Sequence, residues 1–255
     1  MSYSKFTVTV QKVQIMVRRG ARQKRLKREE NEERVMQQPF VLPQSPFAPL
    51  EPLNKDQLDS IHRASMIILE QTGIEVNSPI ARQYYKNAGA EVVEDSLIVR
   101  LPEELVMSLL KTAPREFILT PTNSERALNI GKNNIHFGMV SGAPNASCAL
   151  HGRRPGNFKD YKNLIKLGQS FNVIHFFGNQ TLSPNDLPVN TRHLDTTLVN
   201  LTHSDKIFLS MSIGGARVRD TANMLAIARG LSMEELALSP SCITNVNINS
   251  PRKFD

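Results

Sequence analysis

The chain has 255 residues, 40% of them apolar, with no Trp and two cysteines. That length suits one large domain or two small ones, the apolar share excludes wholesale disorder, and no window approaches 18 uninterrupted apolar residues. The net charge of +7 sits mostly in residues 1–50, which hold ten basic and four acidic side chains; the 21 basic and 20 acidic residues that follow nearly cancel, so the high pI belongs to an arm and argues against a nucleic-acid-binding body.

Cys148 and Cys242 cannot make a disulfide framework, and a reducing cytoplasm is expected. Phe6–Val17 lacks a small-residue cleavage site, so it does not read as a signal peptide. Met16 directly precedes the run Val17–Arg25, and translation is expected to start there. The basic run and the acidic Glu29–Glu33 read as a solvated, partly helical tail, with docking of an acidic partner as the sharper alternative. Pro39, Pro43, Pro46, Pro49 and Pro52 forbid helix and predict an extended connector, completing an arm over residues 1–53.

A helix capped by Asn54 follows, with Leu58, Ile61, Ser65 and Ile68 on one face and Gly73 at its end. A second helix spans Pro79–Ala88, and Ser96–Leu101 alternates as a strand. Pro102 opens a third helix, with Glu103 and Glu104 in its first turn and Leu105, Leu109 and Leu110 as its buried stripe. Residues 54–134 thus read as an α+β cap.

From residue 135 the pattern changes. Strand-like runs begin near Ile135, Val173, Lys206 and Cys242. Between them lie helices: one capped at Asn157 with Tyr161, Leu164, Ile165 and Gly168 on one face; one over Pro188–Thr202 with Leu194, Leu198 and Leu201; one over Arg219–Arg229 with Ala222, Leu225 and Ala228; and a short one opened by the capping box Ser232–Glu235. Such alternation means parallel βα units, in an eight-fold barrel or a doubly wound sheet. No G-x-G-x-x-G follows any of these strands, which argues against a dinucleotide fold. Residues 135–255 therefore read as the first half of a TIM (β/α)8-type barrel, about four βα units, truncated.

Strand alternation nominates the site. In Cys242–Ser250, Thr244, Val246 and Ile248 should face covering helices, and Asn245, Asn247 and Asn249 the lumen. In Lys206–Ser212, Ile207, Leu209 and Met211 should face out, with Ser210 and Ser212 in. In Val173–Asn179, Ile174 and Phe176 should face out, with His175, Phe177 and Asn179 in. Barrel sites are built at carboxyl strand ends, so Asn179, Ser212 and Asn249, with the loops Ser141–Asn145 and Ile213–Gly215, are the candidates. Cys148 and His151 have a ligand-like spacing but lack two further placed ligands, so no metal is expected. His136 and His175 read as hydrogen-bonded core residues, and Asp205 and Asp220 as helix-end or loop charges. Gly152–Gly156 could clamp a phosphate or carboxylate, or simply turn into the next helix. There is no P-loop, paired-carboxylate set, G-x-S-x-G elbow or evident general base, and no catalytic residue is nominated.

Arg18–Arg22, Leu69–Val76, Ala88–Glu91, Leu101–Leu105, Asn133-Asn134, Gly142–Asn145, Gly152–Gly156 and Asn249–Asp255, in that order and spacing, resemble the trimethylamine–corrinoid protein methyltransferases and their quaternary-amine relatives. The resemblance covers about residues 16–255. It implies a (β/α)8 barrel that moves a methyl group from a methylated amine, trimethylamine or a betaine, to Co(I) of a separate corrinoid protein. The corrinoid would be presented by that partner, with no cofactor bound directly. Co(I) is a strong nucleophile, so the enzyme's work would be orientation and exclusion of water. Aromatic faces would hold the ammonium, with Phe137 and Phe177 as cage candidates, while amides orient a carboxylate. The substrate-binding set is therefore Asn145, Phe177, Asn179, Ser212, Asn247 and Asn249. Family members are about twice as long, and the pyrrolysine of the trimethylamine enzymes falls in the half not present. This polypeptide alone is thus expected to be inactive: a fragment, one half of a split enzyme needing a complementary C-terminal half, or a pseudogene product. The rival reading is a non-catalytic module that docks a corrinoid protein or such a half; an RNA-binding arm is a third.

Overall fold

The computed structural model describes residues 36–93, 96–178 and 180–244, and the strand Lys253–Phe254. The arm's charged runs, Met16, Asn179, Asn245, Asn247 and Asn249 lie outside the described residues. The chain divides after Pro39, and the architecture that follows belongs to the unit starting at Phe40.

Helix α1 (Lys55–Ile67) opens with a reciprocal capping box: Asn54 Oδ1 accepts from Gln57 N at 2.9 Å, and Gln57 Oε1 from Asn54 N at 2.9 Å. It runs into a π-helical turn and stops at Gly73, whose φ of +76° is open to glycine at little cost. Strand β1 (Ile74–Val76), helix α2 (Pro79–Asn87), strands β2 (Glu91–Val92) and β3 (Ile98–Arg100) and helix α3 (Glu103–Leu110) follow. β1 and β2 flank β3 antiparallel, and β11 (Lys253–Phe254) adds parallel to β1. A small core of Val76, Ala90 and Val99 sits under α2. The stripe expected to be buried on α3 is only partly so: Leu105 packs against this core, while Leu109 and Leu110 are about half exposed, as are Leu58, Ile61 and Ile68 of the α1 face, where Met66 is the buried residue. Periodicity identified the helices, but the partner that a stripe requires is a tertiary fact.

Strands β4 (Phe117–Leu119) and β5 (Leu128–Ile130) form a hairpin, and β6 (Asn145–Cys148) and β7 (Gly152–Pro155) another. The remaining elements alternate: α4 (Phe158–Ser170), β8 (Phe176–Phe177), α5 (Arg192–His203), β9 (Ile207–Ser210), α6 (Gly215–Arg229), α7 (Met233–Leu238) and β10 (Cys242–Thr244). β8, β9 and β10 are parallel neighbours in chain order. Residues 137–143 extend this sheet beside β8: His175 N donates to Phe137 O (2.8 Å), Met139 N to Phe176 O (3.1 Å), Gly178 N to Met139 O (3.1 Å), and Gly142 N to Gln180 O (2.9 Å). Four parallel segments thus follow one another in sequence. The fold is mixed α/β, with seven α-helices and several small sheets among the described residues; no closed barrel is present among them.

Two layers cover the sheet. Phe177, Phe208 and Cys242 meet Tyr161, Ile165, Val199 and Leu225 from α4, α5 and α6. Burial of each large apolar side chain there contributes on the order of 2 kcal/mol. α4 comes close because Gly168 has no Cβ; one would strike Met139 Sδ and the Phe177 ring. Ile207, Phe176 and Ile243 face the other way, onto Leu119 and Leu128 of the β4–β5 hairpin and onto Phe40 and Leu42. The proline-rich segment is therefore partly built into the body, and Ile135 N donates to Pro43 O at 2.8 Å.

This layering corrects the expected strand phase. Phe177, Phe208 and Ser210 face the helices, and Phe176 and Ile207 face the opposite side, the reverse of the alternation reading for β8 and β9. For β10 the expectation holds at Thr244, which lies with Cys242 on the helix side. Ser210 and Thr244 hydroxyls bond to each other there, so two polar residues are satisfied inside the core and give no sign of a lumen. The opposite face is filled by apolar side chains at the described positions rather than lined by amides. In α5, too, His193, Thr196, Thr197 and Asn200 are buried, while Leu194 and Leu198 are exposed; in α6, Ala228 is exposed. Polar side chains take the inward face of α5 because partners await them: Tyr161 Oη donates to Asn200 Oδ1 (3.1 Å), and Thr196 Oγ1 to Arg192 O (3.0 Å).

Candidate active site at the carboxyl ends of the parallel strands

A parallel sheet directs its carboxyl ends and following loops to one edge, where α/β proteins assemble sites. Beyond β8 the chain passes through Gly178 to Gln180 and Thr181. Gln180 holds φ +42°, a left-handed conformation that a residue with a Cβ adopts at a cost of about 1 kcal/mol. Its side chain is buried, and Nε2 has no hydrogen-bond partner among the described residues; the same is true of Thr181 Oγ1, whose residue is 2% exposed. Two buried donors left unbonded cost roughly 1–3 kcal/mol each unless something binds them. Ser183 N then donates to Ala143 O at 2.8 Å, tying this loop to the end of the neighbouring segment.

A cleft of about 360 Å³ opens beside it, between α4, the β6–β7 hairpin and residues 139–143 and 181–182. Met139, Ala143, Leu164 and Leu182 give it apolar walls, and Asn145, Thr181 and Cys148 add polar atoms. Arg154 makes a two-pronged bridge to Asp160, at 2.6 and 2.8 Å. The guanidinium is therefore committed, and Gly152–Gly156 acts as strand β7 and the lead-in to α4 rather than as an anion clamp. Asn157 caps that helix through Asp160 N at 2.9 Å, and Asp186 Oδ1 accepts from Phe158 N at 2.8 Å.

Of the residues nominated from sequence, Asn145 lines this cleft and Ser212 stands half-buried past the end of β9. Phe177 is fully buried among the helices, so its ring is not turned into an open bore. Asn179, Asn247 and Asn249 lie outside the described residues. Phe137 is 48% exposed, with its ring 5.8 Å from that of His175. His175 is a hydrogen-bonded core residue: Nδ1 accepts from Phe137 N at 2.9 Å, Nε2 lies 3.1 Å from Val41 O, and burial lowers its pKa. His136 Nε2 meets Asn129 O at 2.9 Å. Cys148 is an exposed free thiol and His151 is exposed in the adjoining turn. Asp220, read as a helix-end or loop charge, instead lies within α6 and bonds buried His193 of α5 at 2.8 Å. Gln180 and Thr181 were missed; polar residues just past the strand-like run Val173–Asn179 were the available signal.

Parallel strands in chain order, with buried polar groups that lack partners just past β8, define an α/β protein with a candidate site at that end. Residues 18–255 match the family described as Trimethylamine methyltransferase (MTTB), and the chain belongs to that family. It is 33% identical over 203 residues to a glycine betaine methyltransferase of Desulfitobacterium hafniense (strain Y51), covering 80% of this chain and 42% of that protein. It is 47% identical over 64 residues to trimethylamine methyltransferase MttB of Methanosarcina barkeri (strain Fusaro / DSM 804), covering 25% of this chain and 13% of that one. A third relative, MttB of Desulfitobacterium hafniense (strain DSM 10664 / DCB-2), is 27% identical over 82 residues. The chain thus spans less than half the length of these curated relatives. No helix among the described residues is long and apolar enough to cross a membrane.

Proposed function

We propose that this chain is the N-terminal part of a methyltransferase that moves a methyl group from a methylated amine, trimethylamine or a quaternary amine such as a betaine, to Co(I) of a corrinoid protein in the cytoplasm. Family membership over residues 18–255 carries the reading. The arrangement of the sheet supports it: residues 137–143, β8, β9 and β10 are laid side by side in chain order, as in a (β/α)8 barrel, where a doubly wound sheet would reverse direction at its first strand. We read residues 1–53 as arm and connector, 54–134 as cap and 135–255 as the first half of that barrel. The methyl carbon would be attacked by Co(I) while the C–N electron pair returns to nitrogen, releasing an amine with one methyl fewer. On this reading the described strand-end residues Asn145, Ser212 and Gln180 would orient the donor.

Residues 137–143 and β10 each have an outer edge without a strand neighbour among the described residues, so we expect the 255-residue chain alone to be inert. Incubating it with a Co(I) corrinoid protein and either trimethylamine or glycine betaine should leave the Co(I) absorbance unchanged. Adding the C-terminal segment of a full-length relative should bleach it. Transfer by the chain alone would overturn the half-barrel reading, and no transfer after complementation would overturn the activity.

A further inference from the structure

We propose that the cleft beside α4 is the seat of an amphipathic helix supplied by the C-terminal segment that the longer relatives carry. The inference rests on the half-barrel reading and adds to it a docking surface and the element that fills it. The sheet itself shows how its helices are placed. Gly168 of α4 lies against Met139 in the segment before the helix and against Phe177 in the strand after it, so α4 straddles the two strands it joins. Parallel neighbours need such a crossover, and it returns on the face that the helices already cover. A strand added to the outer edge of residues 137–143 would therefore bring a helix that straddles both, on the flank of α4 opposite α5.

The cleft of about 360 Å³ lies on that flank. α4 carries two stripes: Tyr161, Ile165 and Gly168 are buried against the sheet and α5, whereas Asn163, Leu164 and Leu167 line the cleft at helical spacing, with Leu167 52% exposed. Val140 lines it from the strand segment and is 67% exposed. A second stripe of this kind is what a helix offers a second partner. The charged pair in the cleft, Arg154 and Asp160, is bonded twice within itself, so it presents no unpaired charge to an incoming apolar stripe. Asn145 follows residues 137–143 at the carboxyl end of the cleft, so a helix seated on Met139, Val140, Leu164 and Leu167 leaves it to the strand-end site. The matched glycine betaine methyltransferase is the source of the occupant, since this chain covers 42% of it. Its helix would need apolar residues at the same three- and four-residue spacing as α4 to fill the space.

The test is binding, measured by titration calorimetry between the 255-residue chain and the C-terminal segment of that glycine betaine methyltransferase, with no amine or cobalt present. Leu167→Asp and Val140→Asp should each weaken the complex at least about tenfold, because a carboxylate would be buried without a partner. Leu198→Asp replaces an equally exposed leucine on α5, at 52%, and should leave the affinity unchanged. All three side chains are exposed in the chain alone, so the urea midpoints should match wild type; should one variant at the seat fail to fold, the other carries the test. A segment cut before the helix that follows its last strand should bind wild type and Leu167→Asp alike. Binding indifferent to Leu167 and Val140, or a cut segment that still tells wild type from Leu167→Asp, would overturn the seat and leave the half-barrel reading standing. No complex at all would overturn both. Self-association of the chain that blocks the segment and is lost in Leu167→Asp would give the cleft to a second copy and equally overturn the assignment.

Discussion

Where β9 begins, Lys206 Nζ donates to the carbonyls of Gly168, Gln169 and Phe171 at 2.7, 3.3 and 2.7 Å, and the Asp205 carboxylate accepts from Asn123 and Gln169 and forms an ion pair with Arg126. Where β8 ends, Gln180 Nε2 and Thr181 Oγ1 are buried with nothing to bond among the described residues. The amino ends are stitched to the end of α4 and to the turn carrying Asn123 and Arg126. Even Arg126, whose Nη1 has no hydrogen-bond partner, stacks over the Phe40 ring at 4.7 Å. The carboxyl ends keep strain and unspent donors. One edge of the sheet is tied into the fold, and the other carries buried polar groups without partners among the described residues.

Breaking the stitched edge should have the largest effect. The last carbonyls of a helix lack intrahelical partners, and Lys206 supplies three of them with a positive charge at the favourable end of the dipole. Lys206→Met should cost about 3 kcal/mol at pH 7, read as a lowered urea midpoint. Burial, then the charge of Arg126, pushes the Lys206 pKa from 10.5 down to about 8, with Asp205 opposing. Between those values the unfolded chain holds the proton that the folded chain has released. Stability from this group therefore rises with pH across that window, and the advantage of wild type over Lys206→Met should widen from pH 7 to pH 10.5. A gap that narrows instead would mean that the ammonium is the preferred buried form.

The second effect is on Asp205. Burial alone would raise its pKa, but bonds from Asn123 and Gln169 and the charge of Arg126 outweigh it and hold the carboxyl below 3.8. Its stabilisation is present above that ordinary value and is lost as pH falls through the lowered one. Asp205→Asn should cost about 2 kcal/mol at neutral pH, since an amide NH2 would confront donors, and should flatten the acid limb of the stability profile. An unchanged acid limb would remove Asp205 from the network.

How much of this was readable beforehand divides along sequence distance. The caps at Asn54, Asn157 and Ser232, the helix α4 with its Tyr161–Ile165 face and the parallel βα alternation are local signals. Lys206 lies 38 residues from Gly168, and Ser210 lies 34 from Thr244, so neither partnership leaves a mark in a short window. Strand phase failed at β8 and β9 for the same reason: strands buried on both faces read as apolar throughout, and the Ser210 hydroxyl that looked like a lumen group bonds Thr244 against the helices. Register across the sheet, which pairs Phe177 with Phe208 and Phe208 with Cys242, decides the faces together. Of the site, Asn145 was visible through its loop, whereas Gln180 and Thr181 became visible only once burial and missing partners were known.

Gln180→Gly tests the open edge with the smallest expected change and the opposite sign. Glycine adopts φ +42° without the Cβ penalty and removes a buried amide that lacks a partner. Against this stands the greater freedom of glycine in the unfolded chain, about 0.5–1 kcal/mol. The balance should be a gain of about 1 kcal/mol in urea unfolding, while every substitution at the amino-end network is a loss. If the side chain is retained for a ligand, the more stable variant should also bind the methyl donor more weakly in the complemented enzyme. A variant that is destabilised would mean that Gln180 packs as a structural residue, and the contrast between the two edges would then rest on Thr181 alone.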